Sequence, residues 1–131
     1  AKFDMQHTSV CRAVKWLNSV QRADGGWGET NDSYLDDKLA GQFSETSTAF
    51  QTAWAVLGLM AAGEVNSESV RKGISYLLRN QSSDHLWEDP WFTAPGFPRV
   101  FYLRYHGYSK FFPLWALARY RALTRTVAAC M

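Results

Sequence analysis

One seven-residue stretch occurs twice, and it limits what this chain can fold into more than any other feature. Gln21-Arg22-Ala23-Asp24-Gly25-Gly26-Trp27 is answered by Gln81-Ser82-Ser83-Asp84-His85-Leu86-Trp87, with Gln, Asp and Trp in register. The agreement extends outward: Val14 is matched by Ile74, and Trp16-Leu17 by Tyr76-Leu77. A unit of about sixty residues therefore recurs, longer than the common solenoid repeats, and duplication on that scale predicts stacked, similar units.

The chemistry of the stretch suggests a clasp. Each copy follows an apolar run of helical period and begins with Gln, whose amide both donates and accepts and can satisfy an open helix end together with neighbouring backbone. Asp-Gly supplies a turn in which Gly25 is free to take positive φ. Trp27 offers a broad face to cover the Gln. In the second copy His85 stands in the place of Gly25; His takes positive φ at a higher cost, so the second turn is expected to differ in detail.

At 131 residues the chain is one domain or part of one, with enough apolar and aromatic content to bury a core. The net charge of +2 is mild and the basic residues are dispersed, which gives nucleic-acid binding no electrostatic footing. Cys11 and Cys130 stand alone, with neither Cys-x-x-Cys nor His at ligand spacing, so a reduced protein without metal is expected. No signal peptide is evident, and the longest apolar stretch, Ala53 to Ala62, is too short to span a bilayer. Attachment to a membrane surface stays open. The start at Ala1, without initiator Met, is expected of a fragment or a processed chain.

Spacing predicts a first helix over about Thr8 to Val20, capped by Thr8 or Ser9 and ended by the clasp. Glu29 to Thr46 reads as a long polar loop, whose Asp32, Asp36 and Asp37 are read as solvated carboxylates. Ser47 or Thr48 caps a second helix, apolar on nearly all sides, that stops at Gly63. Asn66 or Ser67 starts a third, Val70 to Asn80, the counterpart of the first, which the second clasp closes. Pro98 fits the first turn of a further helix, along which Phe97, Phe101, Tyr105 and Tyr108 recur at intervals of four, four and three on one face. Pro113 is expected to open the last helix, Leu114 to about Leu123, whose Leu-Trp-Ala-Leu-Ala echoes Thr52-Ala53-Trp54-Ala55-Val56. Repeats at about 8–63 and 67–123 predict an all-α chain of stacked helical hairpins, packed as an α/α barrel with the all-apolar helices inside and the amphipathic ones outside.

An aromatic stripe is most often core. Yet aromatic faces also stabilise a nearby cation without attacking it, so a pocket lined with rings can guide a carbocation unquenched. The hydroxyls of Tyr102, Tyr105 and Tyr108 could orient a neighbouring acid. The residues offer no Ser-His-Asp set, phosphate loop or zinc signature.

The clasp resembles the Gln-Trp repeat of the triterpene cyclases. Gly96-Phe97-Pro98, Phe101-Tyr102-Leu103, Tyr105, Tyr108 and the run Phe112-Pro113-Leu114-Trp115-Ala116-Leu117-Ala118-Arg119-Tyr120 look like the C-terminal end of bacterial squalene-hopene cyclases, over about His7 to Leu123. The resemblance implies an isomerase that folds squalene in an apolar cavity, protonates it, and carries the cation through ring closures to hopene or, with water, hopanol. It implies no metal and no organic cofactor, two α/α barrels, and monotopic attachment to the cytoplasmic side of a bacterial membrane, with a homodimer allowed. Phe97 and Phe101 would face the later ring cations, Tyr105 and Tyr108 would lie near the acid, and Tyr102 and Leu103 would shape the cavity. Gln21, Gly25, Trp27, Gln81 and Trp87 would be structural clasps.

The family's acid, an Asp-x-Asp-Asp motif, does not occur here, and Asp36-Asp37 is no equivalent. Residues 1–131 are therefore expected to be the C-terminal part of one barrel domain, inactive alone. Ala94-Pro95 also departs from the family's Gly-Thr before Gly96. The competing reading is a non-catalytic helical-repeat module that binds a hydrophobic ligand or partner. A protein prenyltransferase relative would need a zinc site, which the His and Cys spacing does not provide.

Overall fold

The computed structural model describes residues 4–34, 36–39, 46–93, 101 and 103–129. Its helices are α1 (Thr8–Ser19), α2 (Ala49–Ala61), α3 (Glu68–Arg79) and α4 (Tyr108–Ala129). Among the described residues there is no strand; Trp27 and Thr48 form an isolated bridge, and the fold is all-α. The long loop is not featureless: 3-10 turns span Asn31–Tyr34 and Asp37–Leu39.

Helices α1, α2 and α3 each begin where a side chain accepts one of the backbone N–H groups that a first turn leaves over. For α1 the cap is His7, one residue before the expected Thr8, with Nδ1 accepting from the Ser9 amide at 3.3 Å. Thr48 caps α2 and Ser67 caps α3. The end of α2 is closed by Gly63 at φ +93°, with Glu64 N–H donating to the Leu59 carbonyl and Gly63 N–H to Met60, a Schellman closure that Gly favours.

Helix α2 is the centre of the molecule. Ala49, Phe50, Ala53, Val56, Leu59 and Met60 are buried on several of its faces, so it needs partners all round. It packs against α3, α4 and α1. By contrast α3 buries one stripe, Val70, Ile74 and Leu77, and leaves Leu78, Arg71 and Lys72 exposed. Burying each aliphatic side chain of this core contributes about 1.5–3 kcal/mol.

Two expectations about the last third do not hold. Residues 103–107 are not helical, and α4 starts at Tyr108. The reason is visible at Arg104: the non-helical path lets its guanidinium reach the Asp89 carbonyl at 3.0 Å and lie 5.4 Å from the Phe92 ring. Nor does Pro113 open a helix. It lies inside α4, fully buried, where the helix gives up one i→i−4 hydrogen bond. The proposed start of a helix at Pro98 lies outside the described residues.

Both clasps build the same turn. Arg22 N–H donates to Gly26 O and Gly25 N–H to Arg22 O; Ser82 N–H donates to Leu86 O and His85 N–H to Ser82 O. In each, the Asp carboxylate accepts the amide two residues on, at 2.9 Å from Gly26 and 3.1 Å from Leu86. Gly25 has φ +88° and His85 φ +63°. A Cβ at Gly25 would also stand 2.8 Å from the Lys72 carbonyl oxygen of α3, whereas His85 is exposed. Gly25→Ala is therefore expected to cost about 1–3 kcal/mol. His85→Gly should stabilise by up to about 1 kcal/mol, because relief of the left-handed conformation outweighs the added chain entropy. Urea unfolding of the two variants checks this; the same sign for both would contradict it.

Candidate functional site

Trp27 does what the sequence reading assigned to Gln21. Its indole Nε1 donates to the Leu17 carbonyl in the last turn of α1 at 2.8 Å, and Trp87 Nε1 does the same for Leu77 of α3 at 2.8 Å. The Trp thus satisfies the open helix end. The Gln amide instead closes its own turn, Gln21 Nε2 to Gly25 O at 2.9 Å and Gln81 Nε2 to His85 O at 2.9 Å. In the first copy Gln21 Nε2 also donates to the Ser69 carbonyl of α3 at 2.9 Å.

Trp27 is further held through its backbone. Its N–H donates to Thr52 Oγ1 at 2.9 Å and its carbonyl accepts from Thr48 N–H at 2.9 Å. Its ring lies against Gly73, where a Cβ would come within 3.0 Å of it. One residue therefore joins α1, α2 and α3.

Facing the other side of α2 is a cluster of rings drawn from α2, α4 and the segment before α4. Trp54 makes edge contacts with Phe50, Tyr108 and Phe112 at centroid distances of 5.3, 5.5 and 5.2 Å. Tyr105 stacks on Tyr108 at 4.9 Å, Tyr108 meets Phe112 edge-on at 5.2 Å, and Phe112 stacks on Trp115 at 6.1 Å. These separations are the offset and T-shaped geometries that aromatic quadrupoles favour. Beside the cluster opens a cavity of about 490 Å³, with Phe50, Trp87, Trp91, Phe92, Tyr105 and Tyr108 in its wall, together with Asp89 and Arg104.

Asp89 fastens this wall. Its carboxylate is buried and accepts the N–H of Ala49 at 2.7 Å and of Phe50 at 3.1 Å, the first two residues of α2. Thr48 Oγ1 takes the next, Gln51 N–H, at 3.4 Å. Burial holds the Asp89 carboxyl above the usual carboxylate range, although the two amides and the Arg104 guanidinium pull it down. Nearby, Tyr76 donates its hydroxyl to the Ser47 carbonyl at 2.8 Å, and burial, helped by the Asp89 and Asp24 carboxylates, pushes its phenol up to about 12.

Of the residues singled out from sequence, Tyr105 and Tyr108 come together in the ring cluster and the cavity wall. Phe101 and Leu103 are 44% and 51% exposed. Phe97 and Tyr102 lie outside the described residues. Trp54, Phe112 and Asp89 were missed as site residues. The match between Trp54 and Trp115 in the two repeats was a signal for Trp54, whereas Asp89, in an Asp-Pro loop, carries no local sign of its contact forty residues away. Among the described residues no three His, Cys, Asp or Glu side chains are placed to hold a metal ion. No helix among them is long and apolar enough to cross a membrane.

Residues 1–122 match the family model of the squalene-hopene cyclase C-terminal domain. The chain is 59% identical over 119 residues to a squalene-hopene cyclase of Zymomonas mobilis subsp. mobilis, covering 91% of this chain and 18% of that protein. It is 57% identical over 126 residues to a probable squalene-hopene cyclase of Sinorhizobium fredii, covering 96% and 19%. A dammaradiene synthase of Dryopteris crassirhizoma is 47% identical over 125 residues, covering 86% and 18%. The chain thus spans less than a fifth of the length of these relatives.

Proposed function

This chain belongs to the squalene-hopene cyclase family, within its C-terminal domain, and on that premise we propose that it supplies aromatic cavity wall to a longer cyclase that converts squalene to hopene or hopanol. The observation that carries the reading is the cluster of Phe50, Trp54, Tyr105, Tyr108, Phe112 and Trp115, whose linked centroids lie 4.9 to 6.1 Å apart beside an open cavity. Each ring face over a desolvated cation contributes about 0.5–2 kcal/mol and offers no lone pair basic enough to end the cascade early. Phe97 and Phe101 serve the later cations, Tyr105 and Tyr108 the region of the acid, and Tyr102 and Leu103 the shape of the cavity. The acid is an Asp-x-Asp-Asp group outside these 131 residues, which contain no such motif. The reaction is an isomerisation driven by proton transfer, without metal or organic cofactor, on the cytoplasmic side of a bacterial membrane to which the enzyme attaches monotopically, as a monomer or homodimer. Gln21, Gly25, Trp27, Gln81 and Trp87 act as structural clasps.

The test uses the complete cyclase polypeptide, squalene, and product analysis by gas chromatography. Phe101→Ala and Tyr108→Ala are each expected to raise prematurely terminated products about 5- to 30-fold, the partition shift that a loss of 1–2 kcal/mol of cation stabilisation gives. An unchanged product spectrum in both, with normal turnover, would make these rings ordinary core and favour the binding-module reading.

A further inference from the structure

Helix α4 carries three rings of the cluster, Tyr108, Phe112 and Trp115, yet its entry is fixed from outside the helix. At its start the Tyr105 carbonyl accepts Tyr108 N–H at 3.1 Å, and the Gly107 carbonyl accepts Lys110 N–H at 3.1 Å and Phe111 N–H at 2.8 Å. The direction in which α4 leaves, and with it the Tyr108 ring, therefore follows the path of the non-helical residues 103–107. Leu103 and Tyr105 are exposed, so burial does little to fix that path.

Arg104 supplies the hold. Its Nη2 donates to the Asp89 carbonyl at 3.0 Å, while the guanidinium carbon stands 5.4 Å above the centroid of the Phe92 ring. A planar fork donates within its plane and lies on a ring with its face, which an ammonium cannot do. What it grips is itself anchored on two sides. The Asp89 carboxylate is bonded to the first two amides of α2. The Phe92 backbone exchanges two hydrogen bonds with the Asn31 side-chain amide, Asn31 Nδ2 to Phe92 O and Phe92 N–H to Asn31 Oδ1 at 3.3 Å, and the Tyr34 hydroxyl lies 3.0 Å from Thr93 Oγ1. An exposed Arg ordinarily contributes little. This one ties the entry of α4 to the entry of α2.

We propose that Arg104 is a positioning residue of the cavity, setting where Tyr105 and Tyr108 present their stacked rings, 4.9 Å apart and 13° from parallel, to a developing cation. It acts through those two rings and not by contact with the substrate. The inference rests on the cyclase reading and deepens it; the hold on α4 is measurable without squalene, so the two fail separately.

The test uses the complete cyclase polypeptide. Arg104→Gln is expected to speed hydrogen exchange at the Tyr108 and Phe111 amides about 5- to 50-fold, and to leave Val56 and Leu59 of α2 within about twofold of wild type. With squalene, the same variant should raise prematurely terminated products about 3- to 10-fold and lower kcat by a similar factor, with KM within about twofold, because misaimed rings weaken the transition state and not uptake. Arg104→Lys keeps the charge without the flat fork and should lie closer to Arg104→Gln than to wild type on both readouts. Unchanged exchange at Tyr108 and Phe111 would overturn the proposal, as would acceleration shared equally by α2, the mark of a general loss of stability. Unchanged product proportions would overturn it too, leaving the cyclase reading in place. Arg104→Lys indistinguishable from wild type would assign the effect to charge and not to the grip, and so count against it. A wild type that converts no squalene would sink the cyclase reading and, with it, the role of Arg104 in the reaction, whatever the exchange shows.

Discussion

Trp27→Ala is expected to lower the unfolding free energy of the domain by about 3–5 kcal/mol, the range for removing a buried Trp from a core that cannot fully close on the void. The geometry places it at the upper end. The ring fills the space between α2 and α3 at Gly73, and its indole N–H is bonded to the Leu17 carbonyl at the end of α1. Trp27→Phe separates the two contributions. It keeps most of the apolar contact but loses the donor, and is expected to cost about 1–3 kcal/mol, the desolvation penalty of the carbonyl left unsatisfied plus residual packing loss. Urea unfolding of the intact polypeptide at constant m-value is the measurement. A loss below about 1 kcal/mol for Trp27→Ala would show that the clasp is not what joins the helices.

Asp89→Ala is the second large effect, on the order of 2–5 kcal/mol, because it strips two buried amides at the start of α2 of their acceptors at once. It also removes a negative charge from the positive end of the helix dipole. The loss should reach the ring cluster, since Phe50 and Trp54 ride on the same first turns of α2 that Asp89 holds. Its pH dependence has a definite sign. Burial raises the folded-state value above the unfolded value of 3.8, so the folded state binds the proton more tightly and gains stability at the acid end. That gain fades as pH rises from 3.8 through the raised folded value. Asp89→Asn abolishes it, so its deficit against wild type is expected to be largest near the acid end and to narrow as pH increases. Chemical unfolding at a series of pH values checks the direction; a deficit that widens with pH would contradict the burial argument.

Most of the architecture can be read from the sequence, because it depends on contacts within a few residues. Apolar period, the Thr48 and Ser67 caps and the Gly63 stop mark α2 and α3 closely, and the paired Gln, Asp and Trp mark the repeat. Gly25, with its positive φ, is likewise a local requirement. What could not be read depends on groups distant in sequence. The spacing of Phe101, Tyr105 and Tyr108 suits a helix, yet the pull of Asp89 and Phe92 on Arg104 keeps residues 103–107 out of one, a contact that no window of local sequence contains. Pro113 looks like a helix start and is found inside one, because packing against the core outweighs a single missing hydrogen bond. The division of labour within the clasp, with Trp on the helix end and Gln on the turn and the next helix, needed the three-dimensional path of α1 and α3. So did the role of Asp89, since the amides it caps lie forty residues away. By itself the sequence determined the first three helices and which residue types recur. Only the tertiary structure decided which groups meet, because a buried donor takes whichever acceptor the packing brings within 3 Å, whatever its distance along the chain.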